Sequence, residues 1–357
     1  MPPNYKVKSD AIFFKSAFHK VCPPCSLVHG INVHISSQGV LFKGLGPLEI
    51  SFPTPQQGLT LRGGKIKINS FLENLLAALK GRRPTFEKML WITDSWSSSY
   101  FHWISDALPK LILMREKIDA DATLALPKCF KNLNFVKESL ELLGIKKVYY
   151  VETSITSRKL WFSTTTAPSG NYRPALIRQL RHELLDAQQI HSTRKPSSRV
   201  KSRIYISRDR ASRRKIVNEE VIKPILDEFK FITVYMEDYS FVEQIELMKN
   251  CEILIGNHGA GLVNMLFLPL HACVLELRRD HDAQQNCFFS LSSALELQYH
   301  YLFCQGSRFQ SDAHVDNITV NELQLRESII RCLSDAAPKN LAAKYQLSMM
   351  PYHGEKQ

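Results

Sequence analysis

The sequence predicts an α/β protein of two Rossmann-like halves joined by a basic linker, and three observations carry that expectation. In the second half, apolar strand-like runs alternate with segments of helical spacing, the pattern of right-handed βαβ crossovers in a doubly wound parallel sheet. From Met89 the first half shows the same strand–helix–strand order. Between them His191–Ser202 (HSTRKPSSRVKS) is polar, basic and without apolar period, as a linker is. A length of 357 residues suits about two domains. With 44% hydrophobic and 22% charged residues, the composition excludes a disordered or collagenous chain.

Residues 1–85 carry short alternating segments, Gly30–Ile35 and Gly39–Phe42, and read as a small β-rich lead-in. Residues 86–190 follow as strand Met89–Ile92, helix Ser99–Lys117, strand Thr123–Leu126, helix Leu133–Leu143 with Gly144 as its C-cap, and strands Lys147–Val151 and Lys159–Ser163. Helix Pro174–Ile190 closes this part, with Leu176, Ile177, Leu180, Leu184 and Leu185 on one face. After the linker (191–202), residues 203–320 alternate strand Arg203–Ser207, a helix from Asn218, strand Phe231–Val234, helix Ser240–Asn250, strand Glu252–Ile255, a helix from Ala260, strand Cys273–Leu277, a helix near Gln284–Leu295 and strand Tyr299–Phe303. Residues 321–357 read as a C-terminal helix and tail. Two such domains would enclose a cleft.

The N-terminus has no apolar leader, and no window reaches the ~18 apolar residues of a membrane helix. Eight dispersed cysteines fit a reduced compartment better than a disulfide scaffold. The expectation is a cytoplasmic protein. Cys22-Pro23-Pro24-Cys25 lacks a second pair for zinc and reads as ordinary cysteines. Neither Asp119-Ala120-Asp121 nor Asp280-His281-Asp282 brings a further carboxylate cluster, so no essential metal or other cofactor is predicted.

In an open parallel sheet, ligands bind beyond the carboxyl ends of the strands. Four loops stand out there, the fourth being the one after Glu276. The loop after Ser207 carries Arg208, Arg210, Arg213, Arg214 and Lys215, whose planar forks and ammonium suit phosphate oxygens. Gly256-Asn257-His258-Gly259-Ala260-Gly261 joins a strand to a helix start, where free N–H groups favour an anion and glycines permit positive φ and close approach. It is neither a P-loop nor a dinucleotide fingerprint. Tyr235-Met236-Glu237-Asp238 is the third, and Glu276 ends an apolar strand where an acid can receive ribose hydroxyls. In the first half, His102 and Asp106 stand four apart on one helix face, the spacing of a proton relay.

Three segments together resemble glycosyltransferase family 61: Tyr100–Leu111 (YFHWISDALPKL), Tyr205–Glu219 (YISRDRASRRKIVNE) and Leu247–Leu277 (LMKNCEILIGNHGAGLVNMLFLPLHACVLEL). The resemblance covers roughly residues 90–305 and does not reach residues 1–85. It implies a GT-B architecture, two Rossmann-like domains facing a cleft, with the acceptor side in 86–190 and the nucleotide-sugar side in 203–320. It also implies an inverting transfer to a glycan or lipid-linked glycan hydroxyl without a metal, as in capsular or cell-envelope polysaccharide synthesis. On this reading Arg208, Arg213 and Lys215 offset the leaving diphosphate, and His258, Gly259 and Ala260 cradle it. Glu276 holds the ribose and the Tyr235–Asp238 loop the base. Asp106 is the general base with His102 orienting or replacing it, and Glu237 and Asp238 stand behind them.

A basic surface permits peripheral membrane contact. The competing reading is a nucleic-acid or phosphate-binding module, and a third is an inactive family 61 scaffold. Charge distribution argues against nucleic acid as a partner. The chain has 46 Lys+Arg against 34 Asp+Glu, a net +12. Residues 191–215 hold ten of the cations and one Asp, so they supply +9 of that excess.

Overall fold

The computed structural model describes residues 2, 10–18, 20–54, 56, 59–81, 83–115, 122–191, 201–307 and 315–336. It divides into two compact units, one of His19–Lys195 and Tyr239–Ile245, the other of Met1–Phe18, Pro196–Asp238 and Glu246–Gln357. Most of the predicted linker, the Asp119–Asp121 motif and the tail beyond Ala336 lie outside the described residues.

The first unit holds a mixed seven-stranded sheet of β1 (Leu27–Ile35), β2 (Leu41–Lys43), β3 (Gly46–Pro47), β4 (Thr85–Trp91), β5 (Thr123–Pro127), β6 (Val148–Val151) and β7 (Ile155–Ser163), in the order β3-β2-β1-β7-β4-β5-β6. Strands β4, β5, β6 and β7 run parallel to their neighbours in this group, as the alternating sequence predicts. Strand β1 pairs antiparallel with β7 over most of its length. The β-rich lead-in is therefore no separate body: its strands extend the sheet of the residues that follow. It also contains an unexpected helix, Leu61–Leu79, capped where Thr60 Oγ1 accepts from Gly63 N at 3.1 Å. Gly63-Gly64 in its first turn, and Ser70 and Asn74 at buried positions, hide it from an apolar-period search.

The remaining helices of this unit follow the pattern more closely. Asn134–Leu142 ends at Gly144, whose φ of +71° and the Ile145 N to Leu140 O bond (2.9 Å) make a left-handed C-terminal cap. Pro174–His191 buries Ile177, Leu180 and Leu184, three of the five predicted face residues. The expected continuous helix Ser99–Lys117 is instead Tyr100–His102, a π-helical stretch Trp103–Ala107, and Leu108–Met114. A π turn inserts one residue per turn and shifts the faces of the helix against one another, often beside a functional site.

The second unit holds β8 (Ser202–Ile206), β9 (Phe231–Val234), β10 (Cys251–Asn257), β11 (Cys273–Arg279), β12 (Gln298–Gly306) and β13 (Ile318–Thr319), in the order β13-β12-β11-β10-β8-β9. All neighbours among β8 to β12 are parallel, and the short edge strand β13 is antiparallel. The chain steps from β8 outward to β9, then returns to the other side of β8 to lay down β10. Reversal of winding makes the β8/β10 boundary a topological switch point, where strand-end loops splay apart. Tyr205, Ile253, Ile255, Leu275 and Leu277 fill the core beneath, against Leu325, Ile329 and Cys332 of the C-terminal helix Glu322–Ala336.

Helix Ala11–Phe18 groups with this second unit, a long way along the chain from its partners. Phe14 is fully buried among Phe289, Tyr299 and Tyr301, at centroid distances of 5.2, 6.4 and 4.9 Å.

Leu275 sits at the centre of the parallel sheet with no exposure, whereas Ile232 on β9 is 56% exposed. Leu275→Ala is expected to cost about 2–5 kcal/mol in urea unfolding, and Ile232→Ala under about 1 kcal/mol.

Candidate functional site

Two clusters of chemically active side chains occur, one in each unit. In the second unit the switch point brings together the loops after β8 and β10. Arg208 crosses behind the turn, donating from Nε to the Arg214 carbonyl and from Nη2 to the Arg213 carbonyl, each at 3.2 Å. Asn257 donates to the same Arg214 carbonyl at 2.7 Å, fastening the basic loop to the end of β10. A Cβ on Gly259 would fall 3.1 Å from the Arg208 guanidinium carbon. That close approach accounts for the glycine. Gly256 and Gly261 are likewise held by contacts with Leu262, Ile206 and Met236. None of the three has positive φ, so the conformational freedom expected from sequence is unused. Arg214 does adopt a left-handed φ of 56°, turning its carbonyl to these donors.

Among the described residues, Arg208, Arg213, Arg214 and Lys215 make no ion pair. Burial, with Arg213 beside it, depresses the Arg208 guanidinium, partly offset by Glu237. Arg214 is pushed down to about 10 by burial and then by Arg208 and Arg213. Its buried Nε has no hydrogen-bond partner. This is a surplus of half-buried positive charge. Arg210 differs: it is exposed, its Nη1 donates to both Asp238 carboxylate oxygens at 2.7 and 2.8 Å, and it stacks 3.7 Å from the Tyr235 ring centroid.

The helix after the glycine turn, Ala260–Phe267, is 3₁₀ in type. Its first bond runs from Leu262 N to Gly259 O (3.0 Å), leaving the preceding amides free of it. The His258 amide is not among them, because it donates to Leu277 O at 3.1 Å. The His258 ring stands edge-on to Phe288, with Nδ1 2.5 Å from Glu276 Oε1.

The expected ribose role of Glu276 needs correction. Its side chain has no exposure, and its two oxygens accept from His258 and from the Tyr299 hydroxyl. No lone carboxylate oxygen faces outward for a sugar hydroxyl. Burial opposes its ionisation, but the His258 imidazole, the Arg278 guanidinium and the Tyr299 hydroxyl outweigh it and hold the carboxyl below its ordinary range. Asp238, expected at the nucleoside, is taken up by Arg210; Glu237 lies in the same short 3₁₀ turn, Met236–Asp238.

In the first unit, strands β4 and β7 are neighbours although β5 and β6 lie on the other side of β4, which is again a switch point. His102 follows β4 and Ser169 follows β7. His102 Nδ1 is 2.7 Å from Asp106 Oδ2, and Ser169 Oγ donates to the same oxygen at 3.0 Å. Ser105 Oγ donates to Asp106 Oδ1 at 3.1 Å, and the Trp96 ring lies 5.0 Å from the imidazole. The predicted His102–Asp106 pair is thus brought together despite the π turn. Sequence reasoning missed Ser169, whose only signal is the Ser169-Gly170 turn with φ +79° at Gly170, and Tyr299, which a strand pattern cannot distinguish from a core aromatic.

Asp280 and His281 of the Asp-x-Asp-like stretch are 35% and 84% exposed, and Asp282 Oδ1 caps the amides of Gln284 and Gln285. Among the described residues, one group has metal-ligand types within reach of each other, Cys273, His300 and Cys332, buried under the C-terminal helix.

Cations without carboxylate partners at the switch point of a doubly wound sheet are chemically suited to an anion. Residues 100–275, just under half of the chain, match the family model described as Glycosyltransferase 61. It is 32% identical over 143 residues to the EGF domain-specific O-linked N-acetylglucosamine transferase of Xenopus laevis, covering 39% of this chain and 26% of that protein. It is 28% identical over 224 residues to the protein O-linked-mannose β-1,4-N-acetylglucosaminyltransferase 2 of Bos taurus, covering 60% and 35%. The chain therefore spans about a quarter to a third of the length of these relatives.

Because the Glu276 carboxyl is depressed in the folded state, its stabilisation is complete above the ordinary carboxylate range and disappears as pH falls through the folded value. Glu276→Gln is expected to lose roughly 2–5 kcal/mol at neutral pH. The gap to the unmodified protein should narrow below about pH 4. Urea midpoints measured at both pH values check this.

Proposed function

We propose that the chain is a nucleotide-sugar-dependent transferase that moves a sugar to a glycan hydroxyl with inversion and without a metal. The observation that carries the reading is the pair Arg208 and Arg214, half-buried and without a carboxylate partner, packed against the Gly259 turn. Free cations that repel one another beside unbonded amides suit a diphosphate. A nucleic-acid interface would instead spread its cations over an exposed face.

In this reaction the acceptor oxygen forms a bond to the anomeric carbon, and the bond from that carbon to the diphosphate breaks, the electron pair leaving with the phosphate. Arg208, Arg213, Arg214 and Lys215 offset the charge that develops, with the amides of Ala260 and Gly261. Glu276 engages His258 Nδ1 and fixes the ring, so Nε2 is the ring atom left for a phosphate oxygen. Glu276 is thus a positioning residue, and nucleoside contacts fall to the Tyr235–Asp238 loop.

The acceptor proton goes to the first-unit cluster. Asp106 accepts from His102 Nδ1, which leaves Nε2 as the atom able to take a proton, the arrangement of an oriented histidine base. We therefore give His102 the base role and Asp106 the orienting one, taking the alternative in which His102 replaces Asp106. In this reading the two units act as the donor and acceptor halves of a GT-B enzyme. The relatives' names all specify N-acetylglucosamine, so an N-acetylglucosamine nucleotide is the first donor to assay. Cell-envelope glycans and protein O-glycans are both acceptor classes for that assay.

Calorimetry with a panel of nucleoside diphosphates tests the site. Arg208→Ala and His258→Ala should each weaken binding by roughly 10–100-fold, the worth of a charge-assisted hydrogen bond. Unchanged affinity in both overturns the donor assignment. His102→Ala should bind the diphosphate normally and lose transfer. Gly259→Ala should displace the Arg208 guanidinium and weaken binding, with unfolding changed by under about 1 kcal/mol.

A further inference from the structure

Helix Leu61–Leu79 is folded onto its unit with a mostly polar side inward, Ile66 being the apolar residue that packs against Val40, Phe42 and Phe52. Ser70 and Asn74 have no exposure, and Gly63 is buried with them. Ser36 Oγ donates to Ser70 Oγ at 2.9 Å, Asn74 Nδ2 donates to Gly44 O at 3.0 Å, and Glu73 accepts from the Ser37 amide and hydroxyl at 3.0 and 2.8 Å. The opposite side is apolar and open: Leu61 is 98% exposed, Ile68 62%, Leu72 50%, Leu76 53% and Leu79 75%. Spacings of seven, four, four and three residues put these five on one stripe. A helix that packs by hydrophobic burial would be turned the other way.

Charge indicates what covers the stripe. Arg62, Lys65 and Lys80 are exposed, and at 100° per residue all three fall on or beside the same side of the stripe. The one acid of the helix, Glu73, is turned inward onto Ser37. Two copies pairing through this face about a twofold axis would set like charges against one another without an acid between them. No helix of the described residues is long and apolar enough to cross a membrane. An apolar stripe edged by cations, about 28 Å long at 1.5 Å per residue, is the form of a helix that lies in a bilayer surface.

We propose that helix Leu61–Leu79 docks the protein on an anionic lipid surface, with Leu61, Ile68, Leu72, Leu76 and Leu79 entering the acyl boundary and Arg62, Lys65 and Lys80 facing the headgroups. The lysine stem of Lys65 lies along the apolar stripe and carries its ammonium out to the phosphates. This surface is independent of the donor site.

Vesicle flotation tests it, using phosphatidylcholine alone and phosphatidylcholine with roughly a third phosphatidylglycerol. The protein should float with the anionic vesicles at least roughly tenfold better than with the neutral ones, and lose that preference at about 0.5 M salt. The double variant Leu72→Asp/Leu76→Asp should abolish flotation, and Lys65→Glu/Lys80→Glu should remove the anionic preference. All four positions are exposed, so circular dichroism and nucleoside diphosphate calorimetry should be unchanged in both variants, which separates this result from any failure of the donor reading. No flotation, equal flotation with both vesicles, or flotation indifferent to the variants overturns the proposal. So does a lipid-free dimer in sedimentation that the Asp variant dissociates.

Discussion

A carboxylate that water does not reach must be neutralised by its neighbours, and much of the second unit is arranged around that requirement at Glu276. Unpaired, a buried charge costs several kcal/mol, a large part of the stability of an ordinary domain. His258 supplies one partner and the Tyr299 hydroxyl the other. Arg278, fully buried on the same strand, adds the balancing cation. That guanidinium is in turn held by Asn286 and the Asp282 carbonyl, with the Phe14 ring 5.1 Å away. The N-terminal helix Ala11–Phe18 is therefore not an ornament of this unit. It closes the apolar wall behind a charge network whose outermost member is the imidazole at the switch point.

The first unit places the same pair of functional groups at its own switch point under different solvation. Asp106 is 16% exposed and His102 22%, against 0% for Glu276 and 12% for His258. In both pairs the carboxylate takes Nδ1, fixing the ring so that Nε2 is the atom on offer. The Asp106 carboxylate is also shared with the Ser105 and Ser169 hydroxyls, whereas Glu276 is shared with Tyr299. Chain topology accounts for the repetition, since a switch point is where two strand-end loops diverge and leave room for side chains.

What could be read from sequence follows from the range of the forces involved. Helix Asn134–Leu142 and the strands of the second unit were legible because an apolar period and a glycine cap are local signals. The Arg208 loop and the His258 turn were legible as anion-suited because each lies beside a strand end. Partnership was not. Nothing within a few residues of Glu276 says that both its oxygens are spoken for, because Tyr299 is 23 residues away and His258 is 18. The π turn at Trp103–Ala107 was hidden because it keeps His102 and Asp106 four apart and changes only how the flanking faces align. Helix Leu61–Leu79 escaped for a different reason: most of its apolar residues point outward, so its pattern serves a contact that the fold itself does not make.

The cations at the switch point explain why this site is poised rather than stable. Arg208 and Arg214 repel each other and pay desolvation as well, with only backbone carbonyls in return at Arg208 and an unpartnered Nε at Arg214. Replacing them with apolar side chains would remove that cost, so stability alone gives no reason for their presence. An anion placed between them converts repulsion into two charge-assisted contacts and gains more than it would from cations already satisfied by carboxylates. The exposed Arg210, committed to Asp238 and stacked on Tyr235, illustrates the contrast within the same loop. Its charge is already answered, and it can frame the site but has less to offer a ligand. What the loop can offer an anion thus depends on which arginines the fold leaves unanswered, not on how many the loop contains.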